Sequence, residues 1–446
     1  MKIPPIEHAL DHITAACEKK LAILYPKGIP EPIQNRYQQE LSYLSNSEYA
    51  DDFELFRRIS EEARKSAAPI RMRGNVMGSF LYFLLGENCF NPLPVYYYCR
   101  ECGHYEPVQT HLFGIDLPSR ACPHCKTEMD ADGFNLSIES VWGPDGKKDI
   151  TFEYSIPREF SPFARRVITD AYPDNQVVPC GIFQIDPAMP PSASESPITG
   201  IDLVGYTVLP SGTTLEDYSD LISCLEDGEP CVTGGYWELT SHYLKPIRLY
   251  PLNYLDFLLL LQRATGFYVN ELTPRHLRDI TWSSLYHTGL LNQTSLNLMH
   301  ELKPKTFKDI VSLDACSHNT FSWNLNNASE PHWPALLAMI HSDAFQKYPC
   351  FTREDVFDCL VEEGVDRKLA YEVSEMIRKG YASSPIDKQK EQLQNLSIPA
   401  EMLQVAENYR YLFPRAHAIE YILMYAQLAC YARMNGRAFS KIVYKK

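Results

Sequence analysis

No apolar run in the sequence reaches the roughly 20 residues that a helix needs to span a bilayer. The two longest, "LDFLLLL" near Leu255 and "YILMYAQLACYA" near Tyr421, read as buried helices, so no membrane partner is expected. The amino-terminal "MKIPPIEHALDHITAACEKK" has acidic residues and histidines where an export signal needs an uninterrupted apolar core, and a cytoplasmic protein is the expectation. Cationic excess is missing too: 42 Lys and Arg face 56 Asp and Glu, a formal net charge of −14. That surface is not made to grip phosphates at large, and any nucleic-acid role would need a local basic groove. Charged residues are 22% and hydrophobic residues 45% of the chain, which excludes a disordered chain. No internal repeat is visible. With 446 residues the chain can bury a sizeable core without disulfides or metals, in two or three domains.

Cysteine is present in an informative pattern. Thirteen is an odd number, and nine are scattered singly, which fits reduced thiols better than a disulfide framework. The other four form two knuckles, Cys99 with Cys102 and Cys122 with Cys125, with 19 residues between the pairs. This is ribbon-type zinc spacing: four thiolates close a tetrahedron and leave no open position, so such a site holds structure and does no chemistry. A redox role for the pairs would need a thioredoxin-like βαβ pattern around them, and none is visible. Tyr96, Tyr97 and Tyr98 lead into the first knuckle. They suit a packed β-segment better than a platform for stacking bases.

Along the chain, Ile13 to Ala67 shows helical periodicity in three stretches, with Pro30 and Pro32 fitting the start of the second. In "APIRMRGNVMGSFLYFLLG", Gly74 and Gly78 precede an apolar segment, a turn that could deliver backbone N–H groups to a helix N-terminus or simply need glycine. "DITFEYSI" (Asp149 to Ile156), "QVVPCGIFQI" (Gln176 to Ile185) and "IDLVGYTVLP" read as strands, separated by a Pro/Ser-rich linker from Asp186 to Pro197. From Leu249 onward the pattern is nearly all helical, broken at Gly364, Gly380, Pro399 and Pro414. Thr352 is a good N-cap, and Arg353, Glu354 and Asp355 after it read as a solvated helix start. The fold class is α+β, followed by a helical half.

Several of these stretches together resemble the C-family bacterial replicative DNA polymerases, the PolC-type α subunit of DNA polymerase III. "YPKGIPEPIQNRYQQEL", "RGNVMGSF", "NPLPVYYYCRECG", "GIDLPSRACPHC" and "DGFNL" are similar, in order, to the start of that family's palm, its Gly-Ser phosphate turn and its four-cysteine zinc element. "ELKPKTFKDIVSLDACSHNT", "AYEVSEMIRKG" and "YRYLFPRAHAIEYILMYAQLACY" are similar to its fingers helices. The order holds from about Leu24 to Tyr431. The resemblance implies a nucleotidyltransferase-like palm with a mixed sheet and a zinc ribbon, then a helical fingers-like half. It divides the chain into a helical part of the palm at 1–95, the ribbon at 96–135, palm strands at 136–250 and the fingers-like domain at 251–446.

The departures from the family bear on function. Its strand with an Asp-x-Asp motif and a later third aspartate hold two magnesium ions. Here "KKDITFEY" keeps Asp149 at the first position, while Thr151 stands at the second. Glu153 shares their strand face but lies about 13 Å beyond Asp149 at about 3.3 Å per residue, too far to converge on a metal pair. Counting back from "QRATG" puts Arg248 at the third position, a cation where the family binds cations. Asp256 lies too deep in its helical run to replace it. Gln293 and Leu296 fall where the family has arginine. The length leaves no room for the family's exonuclease, histidinol-phosphatase-like domain or OB-fold. What survives is a phosphate-binding remnant at Arg71, Arg73, Gly74, Gly78 and Ser79, with Arg415 and His417 where the family faces its substrate cleft. These residues either still bind or persist as fold determinants.

Three functions follow from this reading. The first is a catalytically inactive pseudo-polymerase that binds DNA or a replication- or element-encoded partner protein. The second is a protein-interaction scaffold on a polymerase fold, and the third an active nucleotidyltransferase with displaced carboxylates. Structural zinc is the cofactor expected; magnesium is not.

Overall fold

The computed structural model describes residues 3–86, 89–185, 198–269, 284–285, 288–289, 291–323, 333–396 and 398–444. The Pro/Ser-rich segment from Asp186 to Pro197 lies outside them.

Ten strands in chain order organise the first half: β1 (Arg71–Arg73), β2 (Tyr96–Tyr98), β3 (Tyr105–Pro107), β4 (Asp130–Asp132), β5 (Glu153–Ile156), β6 (Val177–Ile185), β7 (Ile198–Val208), β8 (Ile222–Cys224), β9 (Pro230–Thr233) and β10 (Lys245–Pro251). Seven form one mixed sheet in the order β1-β5-β10-β7-β6-β9-β8. β5 and β10 run parallel, as do β6 and β9, and the other neighbours are antiparallel. β2, β3 and β4 form the separate small sheet of the cysteine element.

The alternation along β5 and β10 assigns their two faces. Tyr154, Ile247 and Leu249 are buried, and the Tyr154 side is covered by the amino-terminal helices Ala9–Leu24, Glu31–Ser45 and Ala50–Lys65. There Phe53 meets Phe152 and Tyr82, Phe56 lies 5.0 Å from the Tyr154 ring, and the Tyr154 hydroxyl meets that of Ser60. The three helices match the periodicity of the sequence; Pro30 caps the second and Pro32 lies in its first turn. The opposite face carries Arg71, Arg73, Glu153, Arg248 and Tyr250, a row too polar for a core.

The second half is helical. Helix Arg415–Met434 is its axis, with apolar residues buried around most of its circumference. The main apolar cluster runs from Ile6 to Ala429 and joins this half to the sheet half. No helix among the described residues is long and apolar enough to cross a membrane.

Two expectations need correction. "DITFEYSI" is strand only from Glu153 to Ile156. Asp149 and Thr151 are held by the side chain of Asn75 in place of a neighbouring strand: Asn75 Nδ2 donates to the Asp149 carbonyl, Asn75 Oδ1 accepts from Thr151 N, and Thr151 Oγ1 accepts from Asn75 N. The helix start at Arg353 is not solvated. Thr352 caps it as expected, but Arg353, Glu354 and Asp355 are all buried, because they pair with charges from other elements.

Candidate metal centre and central-sheet site

The four cysteines converge. All four Sγ atoms lie within 4.8 Å of one another, with Cys99 to Cys125 at 3.3 Å and Cys102 to Cys122 at 3.5 Å. Each knuckle is a tight turn: Gly103 N donates to the Cys99 carbonyl and Lys126 N to that of Cys122, with Gly103 and Lys126 at positive φ. Metal–thiolate bonds of about 2.3 Å in a tetrahedron set sulfurs about 3.8 Å apart, so the set fits a four-coordinate ion that has no site left for substrate. The tyrosines before it are packing residues, since Tyr96, Tyr97 and Tyr98 are each under 5% exposed.

The segment between the knuckles shows what the cysteine element meets. Asp116 accepts from Phe307 N at 2.5 Å and Lys308 N at 3.1 Å, so a loop of the cysteine element supplies a carboxylate to the N-terminus of helix Phe307–Ser317. Phe113 and Phe134 pack beside it with their rings tilted by 37°, and Phe134 meets Phe307 edge-on. The cysteine element therefore lies on the seam between the two halves and contacts both. Nothing in the spacing of "GIDLPSR" announced this contact, because its partner lies nearly two hundred residues away.

On the central sheet, β1, β5 and β10 align Arg73 with Glu153 and Glu153 with Arg248. Neighbours in one row of a sheet emerge on the same face. The Arg73 guanidinium lies 4.8 Å from the centre of the Tyr250 ring. Arg248 is 1% exposed; one nitrogen donates to the Gly234 carbonyl at 2.8 Å, while Nε and Nη1 are buried without partners. Burial pushes the Glu153 carboxyl up, and Arg73 and Arg248 pull it back only in part. Asp149 is exposed. Thr151 lies two residues before Glu153, so Arg248 is level with Glu153 and not with Thr151. Asp256 lies in the first turn of helix Asn253–Thr265 and not deep within its run as the sequence suggested, and it is taken up by pairing with Arg158. Gln293 is exposed and bonds Asn297 along its own helix, and Leu296 packs against the core.

The phosphate-turn residues divide. Gly74, at φ +90°, lies so close to the Thr151 carbonyl that a Cβ there would sit 2.2 Å from its oxygen. Gly78 and Ser79 are buried. Ser79 caps helix Phe80–Leu84, and the buried Glu40 carboxylate accepts from Ser79 Oγ at 2.6 Å and Phe80 N at 3.0 Å. The Glu40 carboxylate thus occupies the start of this helix from inside the fold. Arg71 is turned inward to Glu420 and Gln427 of helix Arg415–Met434.

Arg415 is 2% exposed. It donates to the Asn135 carbonyl at 2.7 Å and to Asp355 and Asp358 at 2.8 and 2.7 Å. Against the upward push of burial, Lys308 and Arg415 hold the Asp355 carboxyl well below its usual range. Glu375, contacting Arg353, Arg378 and Lys148, is held low in the same way. Lys148 is pulled down to about 7 by burial and then by Arg353. Burial, and after it Arg73, pulls His417 down to about 4, so its imidazole is neutral at pH 7; its Nδ1 has no partner. Asn75, Glu40, Asp116 and Glu375 were missed in the sequence, since each acts through a distant partner that no local pattern encodes.

The chain is similar to PolC-type DNA polymerase III. It is 23% identical to that protein of Caldanaerobacter subterraneus subsp. tengcongensis over 98% of this chain and 34% of the relative. It is likewise 23% identical to the Thermotoga maritima protein over 96% of this chain and 34% of the relative, and to the Bacillus subtilis protein over 96% and 32%. The chain spans about a third of the length of the curated relatives it matches. No family model matches it. Similarity to PolC-type polymerases thus runs through both the sheet half and the helical half, as the motif order implied.

Proposed function

We propose that the chain is a PolC-like pseudo-polymerase: a polymerase-related fold that engages DNA as a replication-associated subunit without transferring nucleotides. The observation that carries this reading is the row of Arg73, Glu153 and Arg248 on the central sheet. Two-metal phosphoryl transfer needs carboxylates that converge on cations about 3.5–4 Å apart. Here one row carries two guanidinium groups around a single carboxyl, and Asp149 stands apart in the loop before β5. A buried arginine repels the divalent ions that the reaction needs, so magnesium is not a cofactor in this reading. The four-cysteine cluster is a structural zinc site, and the four-part division of the chain at residues 95, 135 and 250 belongs to the same reading.

A displaced-carboxylate enzyme would have to use Asp149 with Glu153, and the two arginines around Glu153 tell against it. A protein-interaction scaffold is the second reading. It is favoured by the net charge of −14 and by Trp237 and Tyr243, 63% and 64% exposed around helix Tyr236–Ser241. The test is the binding of a fluorescent primer–template duplex across a salt series, with primer extension in magnesium and in manganese on the same material. Salt-dependent binding without extension supports the pseudo-polymerase. Extension overturns it in favour of the enzyme, and absence of binding at low salt overturns it in favour of the scaffold.

A further inference from the structure

We propose that the cavity between helix Ala9–Leu24 and the cysteine element binds a small arginine-like zwitterion, its guanidinium group on Asp132 and its carboxylate on Lys20. The site shares no residue with the row of Arg73, Glu153 and Arg248, and the inference does not depend on whether the chain engages DNA.

Residues of helix Ala9–Leu24, helix Phe80–Leu84, β2 and β4 enclose a cavity of about 520 Å³. That volume lies within the range of small-molecule sites, about 300–1,000 Å³. Tyr25, Tyr96 and Tyr98 give it aromatic walls, with the Tyr25 and Tyr98 rings edge to face at 5.1 Å. At one side Asp132 Oδ2 accepts from Asn91 Nδ2 at 2.7 Å and from the Tyr96 hydroxyl at 3.4 Å, and Oδ1 accepts from Gly133 N at 2.8 Å. The Tyr25 hydroxyl lies 2.8 Å from that of Tyr96. Since Tyr96 gives its one proton to Asp132, Tyr25 gives its own to Tyr96. The chain of donors therefore ends on Asp132, which is the acceptor that faces the cavity.

No cation pairs with Asp132 among the described residues. Burial pushes its carboxyl up, and the bonds from Asn91, Gly133 and Tyr96 pull it back only in part. On the helix side Lys20 is half-buried and makes no hydrogen bond or ion pair among the described residues. Burial, and after it Arg100 and Arg64, lowers the pKa of its ammonium group, so its surroundings lack an anion. Arg100 is already paired, with Asp130 at 2.6 Å.

One cavity is thus bordered by an anion without a cation and a cation without an anion, and neither charge is compensated by the other. Desolvated charges of this kind are costly until they are paired, and a ligand that carries both signs pairs them together. Tyrosine walls beside a carboxylate favour a planar cation, because a guanidinium stacks on aromatic rings and bonds carboxylate oxygens in pairs. Free arginine and a short arginine peptide both present that group together with a carboxylate.

The test is isothermal titration of the full chain with L-arginine and the dipeptide Arg-Gly. Agmatine, which lacks the carboxylate, and N-acetylglycine, which lacks the cation, are the partial probes. Wild type is compared with Lys20→Gln and Asp132→Asn. The proposal expects L-arginine or Arg-Gly to bind at least about tenfold more tightly than either partial probe. Lys20→Gln should abolish the advantage over agmatine and leave agmatine itself unchanged, while Asp132→Asn weakens every guanidinium probe by about tenfold or more. Tighter binding of L-arginine identifies a free amino acid as the source; tighter binding of Arg-Gly identifies a peptide. Absence of binding by both at millimolar concentration, agmatine binding as tightly as they do, or affinities unchanged in both variants would overturn the site. Lys20→Gln removes no bond within the fold, so its result decides the matter even where Asp132→Asn lowers stability.

Discussion

Replacing Arg415 with methionine separates a structural role from a ligand-facing one. The guanidinium makes three bonds, to the Asn135 carbonyl, Asp355 and Asp358. Asp355 keeps Lys308 at 3.1 Å and the Thr352 hydroxyl at 2.8 Å, and it stays ionised in Arg415→Met. Asp358 has no second cation within bonding distance among the described residues, and burial already pushes its carboxyl up. Removing one member of a buried charge pair costs about 3–5 kcal/mol, against total stabilities of about 5–15 kcal/mol. With an unfolding entropy of about 2.1 cal/mol/K per residue, a 446-residue cooperative unit loses about 1 °C in Tm per kcal/mol, so the expected shift is about 3–5 °C. Without Arg415, Asp358 takes up a proton at higher pH in the folded state than in the unfolded chain, so the deficit is largest at high pH and shrinks as pH falls through that raised pKa. Urea unfolding at pH 8 and pH 5.5, with duplex binding measured where both proteins are folded, checks this. An Arg415→Met protein of unchanged stability that no longer binds DNA would refute the reasoning and place the guanidinium in a ligand cleft.

Three further outcomes are expected. Cys99→Ser with Cys122→Ser should remove the bound metal, seen by metal analysis, and speed amide exchange both in residues 96–132 and in helix Phe307–Ser317, which Asp116 caps; exchange confined to the cysteine element would show that the clip does not hold the seam. Gly205→Ala puts a Cβ 2.0 Å from the Ile247 carbonyl oxygen at φ +136°, so β7 must part from β10 at a cost on the order of 3 kcal/mol or more, measured by denaturant unfolding. His417 titrates near 6.5 when unfolded and at about 4 when folded, so its contribution is present above pH 6.5 and is lost as pH falls toward 4, up to about 3 kcal/mol; the stability of His417→Gln should fall less over that window, and parallel pH profiles for the two proteins would contradict the buried neutral imidazole.

Much of the fold was legible locally. The three amino-terminal helices, the cysteine knuckles, the Thr352 cap and the long buried helix near Tyr421 follow from periodicity, spacing and capping, which act within a few residues. The strand from Asp149 failed at its first half, because pairing there is made by one asparagine side chain from a distant turn. Arg353, Glu354 and Asp355 read as solvated, because charge in a sequence says nothing about whether a partner comes from elsewhere to be buried with it.

By itself, then, the sequence determined the α+β order, the four-thiolate set and the similarity to PolC-type polymerases, since each depends on residue identity at fixed separations along the chain. Only the tertiary structure decided that Asp116 ties the cysteine element to the helical half, that Glu40 fills the turn at Ser79, and that Arg415 faces an internal acidic cluster. It alone also aligned Arg73, Glu153 and Arg248. Strand register brings residues 80 and 95 positions apart to within one strand spacing, and unpaired charge becomes costly only where that packing excludes water.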